Sequence, residues 1–323
     1  MNLLTIEKPD AKWDQFVSKH PHFIFHTSIW GNILRDGYNT KLLYYVLEDN
    51  SQCLLGIPGM LSGRFLKLWY SLVPYGGFIG KREFIPTLVE LITKNIRKYE
   101  IDRLQIVDPQ VDRSGGIGGF VDEESYRYIL NLENKTEEDI YRGYKPSLRR
   151  TINEAMTNEI SIEKIKNIRE IETFYHLYLA SIRRNRGIVR YPLALFENIF
   201  PLIEQGHADI FFANYQGRAV AGIAIIYSRK VAHYFHGGSS DEYLRLRPND
   251  LLFHSAIVEA SRKSKAEFDF LGSAKNMQGL VQFKEKWGTQ RTILYASHKD
   301  VGKIRPFLHK LFVSLYKSCR TGT

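Results

Sequence analysis

The sequence has little cysteine and no long apolar run, and these two shortages exclude several classes of protein. Only Cys53 and Cys319 occur, far apart and without the spacing of metal ligands, so we expect neither a disulfide framework nor a zinc site. Nowhere do about 18 apolar residues stand together, and the N-terminus lacks a basic region followed by an apolar stretch. We therefore expect a cytoplasmic protein, with any membrane contact confined to the inner face of the membrane.

Acidic residues are also in deficit. The chain has 45 Lys and Arg against 35 Asp and Glu, a net charge of +10. Such an excess favours anionic partners, including RNA, phosphorylated sugars and acidic lipid headgroups, without selecting among them. Hydrophobic residues make up 44% of the 323 residues, which is ordinary for a globular protein, and this length favours two domains.

Hydrophobic periodicity predicts two halves with a similar order of elements. In the first half, strands are predicted at 41–48, 53–61, 65–72, 103–107 and 125–132, with a helix at 83–99. In the second half, the pattern predicts strands at 160–165, 208–215, 230–237 and 266–271, and a further strand that follows the turn at 216–217 and ends at 226. It also predicts helices at 168–184, 193–204 and from 248 to about 265. Pro146 suits the first turn of a helix, so we place a first domain at 1–145 and a second at 146–300.

Short motifs occur in a recognisable order over roughly residues 13 to 298. They are Phe25-His26-x-Ser28-x-Trp30, Leu148-Arg149-Arg150-x-Ile152-x-x-Ala155, Tyr234-x-His236-Gly237-Gly238-Ser239-Ser240, Pro248-Asn249-x-Leu251-Leu252, Phe268-Asp269-Phe270-x-Gly272 and Gly279-Leu280-x-x-Phe283-Lys284-x-x-Trp287-Gly288. Together they resemble the FemABX family, whose relatives are grouped as a sixth class of GNAT-type acetyltransferase domain.

The resemblance implies an α+β fold of two tandem GNAT-like domains with a cleft between them. Classical members transfer amino acids from aminoacyl-tRNA to cell-wall precursors, and other relatives use other acyl donors. We therefore expect a transferase that moves an aminoacyl or other acyl group onto an amine of a peptidoglycan-type or polysaccharide precursor. The acceptor is expected to be nucleotide- or lipid-linked, and aminoacyl-tRNA is the favoured donor, with acyl-CoA as the alternative co-substrate.

Three residues are candidates for the chemistry. Amide formation from an activated ester needs orientation and a positive group beside the developing oxyanion, and Lys284 matches the family's lysine in a motif at the reaction site. Asp269 lies in an apolar strand, where it either takes up a proton, positions Lys284 or forms a structural pair. His236 has an ordinary pKa suited to general base catalysis, although a lone histidine is often structural.

Further residues are candidates for binding. Arg183 and Arg186, with Arg149 and Arg150, provide guanidinium groups for phosphates, and the resemblance implies an arginine against a diphosphate in this part of the second domain. Two tryptophans, Trp30 and Trp287, are candidates for stacking on a base or sugar, or for the core. The resembling motifs add three further substrate-binding candidates: Tyr234, Asn249 and Phe283.

One glycine-rich segment favours a different donor. Arg113-Ser114-Gly115-Gly116-Ile117-Gly118 matches the loop by which GNAT enzymes hold coenzyme A, but it leads into a strand rather than the helix start that such a loop needs. The alternatives are thus a CoA-dependent N-acyltransferase of exopolysaccharide synthesis and a catalytically inert GNAT-like module that binds RNA or glycans. No metal and no tightly bound cofactor are expected.

The tail is predicted to form a basic amphipathic helix over 301–323, with apolar residues at three- and four-residue spacing from Ile304 to Tyr316. Two roles remain open for it. The apolar face packs on the first domain, as the resemblance implies, or the helix lies on an acidic membrane surface.

Overall fold

The computed structural model describes residues 1–63, 65–110, 117–302 and 306. The chain folds into two compact units. Of the described residues, the first contains those within Met1–Arg35, Asn39–Glu124 and 294–302, and the second contains Asp36–Tyr38 and Ser125–Ile293. The units divide between Glu124 and Ser125, whereas the sequence-based boundary is at 145, because the strand Val121–Asn131 pairs from Ser125 on with a strand of the second unit.

Among the described residues, the first unit has helices and strands arranged in two mostly antiparallel sheets. Its elements are β1 (Asn2–Ile6), α1 (Ala11–Ser18), α2 (Ser28–Tyr38, whose last three residues group with the second unit), β2 (Tyr44–Asp49), β3 (Gln52–Ile57), β4 (Gly59–Ser62), β5 (Leu68–Ser71), β6 (Ile79–Gly80), α3 (Ile85–Asn95) and β7 (Arg103–Val107). One sheet has the order β1-β2-β3-β6, while β5 lies between β4 and β7 in the other. Buried aromatic residues such as Trp69 and Tyr45 contribute to the core of this unit.

The second unit carries a larger sheet with helices packed on it. Its elements are β8 (Val121–Asn131, in this unit from Ser125), α4 (Glu137–Arg142), α5 (Pro146–Thr157), β9 (Ser161–Lys164), α6 (Glu170–Arg184), α7 (Leu193–Glu204), β10 (Ala208–Tyr215), β11 (Arg218–Tyr227), β12 (Val231–Ser239), α8 (Pro248–Arg262), β13 (Glu267–Ala274), α9 (Gln278–Glu285) and β14 (Gln290–Asp300, in this unit to Ile293). The strand order is β8-β13-β12-β11-β10-β9.

Parallel pairing within this sheet positions the candidate site. The strands β12 and β13 run parallel, joined through α8, whereas their neighbours pair antiparallel. Their register covers only Val231 to His233 against Glu267 to Asp269. Immediately after Asp269, the pairing of β13 with β8 is shifted by a bulge before Gly272. The two parallel strands are therefore paired along their first three residues, and the bulge of β13 lies immediately after this paired part.

Local sequence explains most element boundaries. Helix α7 and strands β7 and β10 have the predicted limits, and Thr136 caps α4 by a capping box with Asp139. The predicted strand at 53–61 is divided at Pro58, since proline has no N–H to donate to a strand ladder. Gln216 and Gly217 both have positive φ, as a two-residue type I′ hairpin between β10 and β11 requires.

Two predicted features lie outside the described residues. The glycine-rich segment from Arg113 to Gly116 is one, and nearly all of the predicted tail helix is the other. Among the residues that the structure does describe, no helix combines the length and apolarity needed to cross a bilayer.

Candidate active site

The candidate site is built on the bulge of β13. Leu271 takes a left-handed conformation with φ of 58°, which a non-glycine residue adopts only when its surroundings hold it there. The Leu271 N–H donates to Asp269 Oδ1 at 2.8 Å. The carbonyl oxygens of Leu271 and Gly272 both accept from the ammonium group of Lys284, at 3.0 and 3.2 Å. The bulge thereby holds the lysine that the sequence singles out.

Lys284 lies near the end of α9 and is only 2% exposed. Burial lowers the pKa of its ammonium group to about 8, while the carboxylate of Asp269 acts in the opposite direction. Nζ also lies 5.6 Å from the centre of the Tyr128 ring. Because an ammonium group has three N–H donors and two are used by the bulge, one remains for a further acceptor. This arrangement suits a cation that stabilises a developing oxyanion.

Asp269 is fully buried and forms a paired network. Its Oδ2 accepts from Nε and Nη2 of Arg127 at 3.0 and 2.9 Å and lies 3.2 Å from Nδ1 of His233. Burial by itself would raise the pKa of this carboxyl, but the Arg127 guanidinium and His233 outweigh it and lower the pKa to about 2. Asp269 is therefore ionised at physiological pH and held by protein groups, which suits the positioning and pairing roles better than direct proton transfer.

His233 extends this network. It is completely buried, and its Nε2 lies 2.9 Å from Oγ of Ser228. Burial lowers the pKa of His233, whereas the hydrogen bond to Asp269 opposes that shift. Ser228, His233 and Asp269 thus have the spacing of a catalytic triad, but all three side chains are buried, and Asp269 is also bonded to Arg127. Their arrangement connects β12, β13 and β8 with the residue that follows β11.

His236 lies on β12 and is half-buried. Its ring meets those of Tyr178 and Tyr191 edge-on, with centroids 4.6 and 5.1 Å away. Burial lowers the pKa of His236 to about 4, and its Nδ1 accepts the N–H of Gly237 at 2.8 Å. The ring is therefore neutral at physiological pH, which a general base requires, although such a low pKa makes it a weak one.

The four candidate arginines separate into two groups. Arg149 donates to the carbonyl oxygens of Arg142 and Tyr144 at 2.8 and 2.6 Å, and so closes the end of α4. Arg150 is exposed and pairs with Glu154 at 3.5 Å. In contrast, Arg183 and Arg186 are exposed at the end of α6, and neither forms an ion pair with a described residue. These two keep free guanidinium groups for an anionic ligand.

The two candidate tryptophans belong to the core. Trp30 is completely buried in the first unit, where its Nε1 donates to the carbonyl of Val73 at 2.7 Å. Trp287 is completely buried in the second unit and packs against Tyr144 and Phe253. Because neither ring has an exposed face, the structure assigns both to packing and corrects the suggestion that they stack on a ligand.

The remaining candidates are half-buried in the second unit. Phe283 packs on Phe253 with centroids 5.1 Å apart, and Tyr234 lies 4.7 Å from the same ring. The amide of Asn249 donates to Oγ of Ser239 at 3.2 Å. Phe283 and Tyr234 thus belong to one aromatic cluster around Phe253, while Asn249 fixes the end of β12.

Sequence reasoning missed Arg127 and His233. Arg127 stands within a strand whose next residue, Tyr128, is buried, and an apolar strand around Asp269 implies that the carboxylate has a buried cationic partner. This expected cationic partner is the sequence signal that could have led to Arg127. It does not reveal which of the 45 basic residues is the partner, because β8 and β13 are more than a hundred residues apart in the chain.

Comparison with known families and structures gives the GNAT-like fold class that the sequence predicts. Residues 142–285 match the acetyltransferase (GNAT) domain, a stretch that contains Lys284, Asp269 and His236. No match to a curated protein is found. This stretch of the chain is therefore similar to the GNAT acetyltransferase domain.

Solved structures extend the similarity to the whole chain. FemX is 15% identical, with 96% of this chain and 99% of FemX aligned and a TM-score of 0.69. L-PGS from Bacillus licheniformis is 14% identical over 96% of this chain and 98% of its own, with a TM-score of 0.62. A tandem GNAT protein from the clavulanic acid biosynthesis pathway is 11% identical over 94% and 99%, with a TM-score of 0.59. These similarities confirm the predicted GNAT-like fold class.

Proposed function

We propose that this chain transfers an activated aminoacyl or other acyl group onto an amine of a cell-envelope precursor. The observation that carries the proposal is the buried ammonium group of Lys284, held by two carbonyl oxygens of the β13 bulge with one N–H left over. A buried, preoriented cation is costly to fold around. Its presence beside a strained bulge is explained by a reaction in which negative charge develops on an oxygen.

The chemistry follows from the properties of the acyl donor. The acceptor amine attacks the carbonyl carbon of an ester or thioester, and the carbonyl oxygen gains negative charge in the tetrahedral intermediate. The remaining N–H of Lys284 donates to that oxygen. Collapse of the intermediate forms the amide and releases the alcohol or thiol, which takes up the proton that the amine loses. His236, neutral at physiological pH, is the secondary candidate for passing on that proton.

The donor and acceptor are proposed from charge and fold. A net charge of +10, and the guanidinium groups of Arg183 and Arg186, which pair with no residue that the structure describes, favour a phosphate-bearing donor and a nucleotide- or lipid-linked acceptor. Aminoacyl-tRNA is our first choice because the resembling motifs cover most of the chain. No tightly bound cofactor is proposed, since the activated donor already carries its leaving group.

A second candidate function is coenzyme A-dependent N-acylation of a sugar amine in polysaccharide synthesis. It is favoured by the GNAT acetyltransferase match over residues 142–285. The same residues serve both functions, because an oxyanion develops whether the leaving group is an alcohol or a thiol.

Donor-binding and single-turnover measurements test the proposal. Saturable binding of aminoacyl-tRNA, with transfer of the labelled amino acid to a peptide- or sugar-amine acceptor, is the expected result. Binding of acetyl-CoA with transfer of the acetyl group would favour the second candidate. Binding of either donor without turnover on a panel of amine acceptors would identify an inert module and overturn both.

A further inference from the structure

The segment 183–190, which contains the last two residues of α6 and the loop after it, has an unusual composition. Its sequence, Arg-Arg-Asn-Arg-Gly-Ile-Val-Arg, has four arginines and no acidic residue. We call it the arginine loop. Ile188 is 79% exposed and Val189 is 48% exposed. A single exposed apolar residue is common on protein surfaces, but two adjacent aliphatic side chains between arginines indicate a surface that meets an apolar environment.

The loop has a defined conformation at both ends. After α6, the N–H of Gly187 donates to the carbonyl of Ile182 at 2.9 Å, and the N–H of Arg186 donates to that of Arg183 at 3.0 Å. These two bonds make a Schellman motif. At the other end, Oη of the fully buried Tyr178 accepts the N–H groups of Arg190 and Tyr191 at 3.1 and 3.3 Å. The exposure of Ile188 and Val189 is therefore set by the fold.

Arg186 occupies the position of this motif that normally belongs to glycine. Its φ is 50°, a conformation that costs a residue with a Cβ more than it costs glycine. The chain has a glycine at the very next position, Gly187. Arg186 therefore has an arginine side chain at a position where the backbone conformation suits glycine.

The four arginines of the loop differ in whether they form an ion pair. Arg184, which is half-buried, pairs with Asp241 and donates to the carbonyl of Ser239. Arg183, Arg186 and Arg190 are exposed and form no ion pair with any residue that the structure describes. Three exposed cations therefore lie within the same eight-residue segment as the two exposed aliphatic residues.

We propose that the arginine loop docks the second unit onto an anionic phospholipid bilayer. Ile188 and Val189 enter the boundary of the acyl chains, and the three arginines bind headgroup phosphates. A soluble phosphate compound would account for the arginines but not for the exposed aliphatic pair. This inference does not depend on the proposed transfer chemistry, although such docking would bring the site to a lipid-linked acceptor.

Vesicle sedimentation tests the proposal with the full chain. The chain is expected to bind phosphatidylcholine vesicles that contain phosphatidylglycerol and not vesicles of phosphatidylcholine alone. The double variant Ile188→Ser/Val189→Ser is expected to bind about tenfold more weakly, since it removes two apolar side chains from the bilayer. The triple variant Arg183→Gln/Arg186→Gln/Arg190→Gln is expected to lose on the order of 100-fold in affinity.

Matched variants separate docking from damage to the fold. Ile168→Ser and Arg218→Gln change exposed residues of the same unit outside the loop and should leave vesicle binding unchanged. Arg186→Gly suits the backbone at that position, so its melting temperature should equal or exceed that of the original chain while its vesicle binding falls. Titration with inorganic pyrophosphate provides the soluble-anion arm, in which the Ile188→Ser/Val189→Ser variant should behave like the original chain.

Three results would overturn the proposal. The first is equal binding to vesicles with and without phosphatidylglycerol, or no binding at all. The second is unchanged vesicle binding by Ile188→Ser/Val189→Ser, which would leave only phosphate recognition by the arginines. The third is vesicle binding that survives every loop variant but disappears when the chain ends at Asp300. Transfer to a soluble acceptor should persist in Ile188→Ser/Val189→Ser. Failure of membrane docking and failure of the proposed function are therefore distinguishable.

Discussion

At the scale of single residues, Lys284 combines two properties that are seldom found together. It is buried like a core residue, yet its pKa of about 8 leaves it mostly charged at neutral pH. A surface lysine would be charged without being oriented, and a buried lysine without carbonyl partners would become neutral. The two carbonyl oxygens of the bulge satisfy part of the charge and fix the direction of the remaining N–H.

Replacement of Lys284 tests this role directly. We expect Lys284→Met to lower the transfer rate by about two to three orders of magnitude, the range for loss of one preorganised oxyanion donor. In the unaltered chain, transfer should fall as pH rises through about 8, because the ammonium group then loses its proton. Any activity retained by Lys284→Arg should lack this alkaline decrease, since guanidinium stays protonated. Near-normal turnover in a folded Lys284→Met chain would remove Lys284 from the mechanism.

Asp269 is expected to matter for stability first. Asp269→Asn breaks a buried pair and should lower the free energy of unfolding by about 3–5 kcal/mol in urea denaturation. Glu154→Gln, which breaks the exposed pair with Arg150, is the control and should change it by no more than about 1 kcal/mol. If Asp269→Asn proved as mild as Glu154→Gln, the buried network would not hold the bulge.

The same carboxylate predicts a dependence of stability on pH. Its pKa is lowered from the ordinary 3.8 to about 2, so the ionised form is favoured by folding. The stabilisation is fully present above the ordinary value and is lost as pH falls through about 2, and it amounts to about 2 kcal/mol. Acid titration of the unfolding free energy should therefore be flatter between pH 4 and pH 2 in Asp269→Asn than in the unaltered chain.

At the scale of elements, the bulge of β13 is the feature that connects the buried network to the site. Asp269 fixes the Leu271 N–H, and Leu271 in turn presents its carbonyl to Lys284. The side chain of Leu271 is therefore less important than its left-handed backbone.

Two substitutions at Leu271 separate backbone from side chain. Leu271→Val keeps an aliphatic side chain but adds a β-branch, which disfavours a φ of 58°. We expect it to lower transfer by up to about 100-fold, as a shift of roughly 1 Å in a catalytic group can do. Leu271→Gly accepts the conformation and should retain most of the activity. A valine variant as active as the glycine variant would show that the bulge does not orient Lys284.

Elements and long-range pairs differ in how far the sequence predicts them. Hydrophobic periodicity reproduces the limits of α7, β7 and β10, because this signal depends on neighbouring residues. The motif around Lys284 also selects the side chain that the bulge holds. In contrast, the Arg127–Asp269 pair depends on the register between β8 and β13, and the burial of Trp30 and Trp287 depends on tertiary packing. The local sequence pattern specifies neither the register between distant strands nor the tertiary packing of side chains.

At the scale of the whole molecule, the excess of 10 positive charges predicts how donor binding responds to salt. Each phosphate that a basic protein neutralises releases counterions, so the logarithm of the binding constant falls with the logarithm of salt concentration by roughly 0.7–0.9 per contact.

Aminoacyl-tRNA presents many phosphates to the protein, whereas coenzyme A presents few. We therefore expect a steep salt dependence for aminoacyl-tRNA and a shallow one for acyl-CoA, measured by fluorescence anisotropy at several salt concentrations. If Arg183 and Arg186 bind phosphates of the donor rather than lipid headgroups, Arg183→Gln/Arg186→Gln should reduce the slope for that donor by about 1.4–1.8, and Arg150→Gln/Arg218→Gln is the control of equal charge. A slope for aminoacyl-tRNA as shallow as that for acyl-CoA would count against tRNA as the donor, because a cationic protein that binds a polyanion productively must displace its counterions.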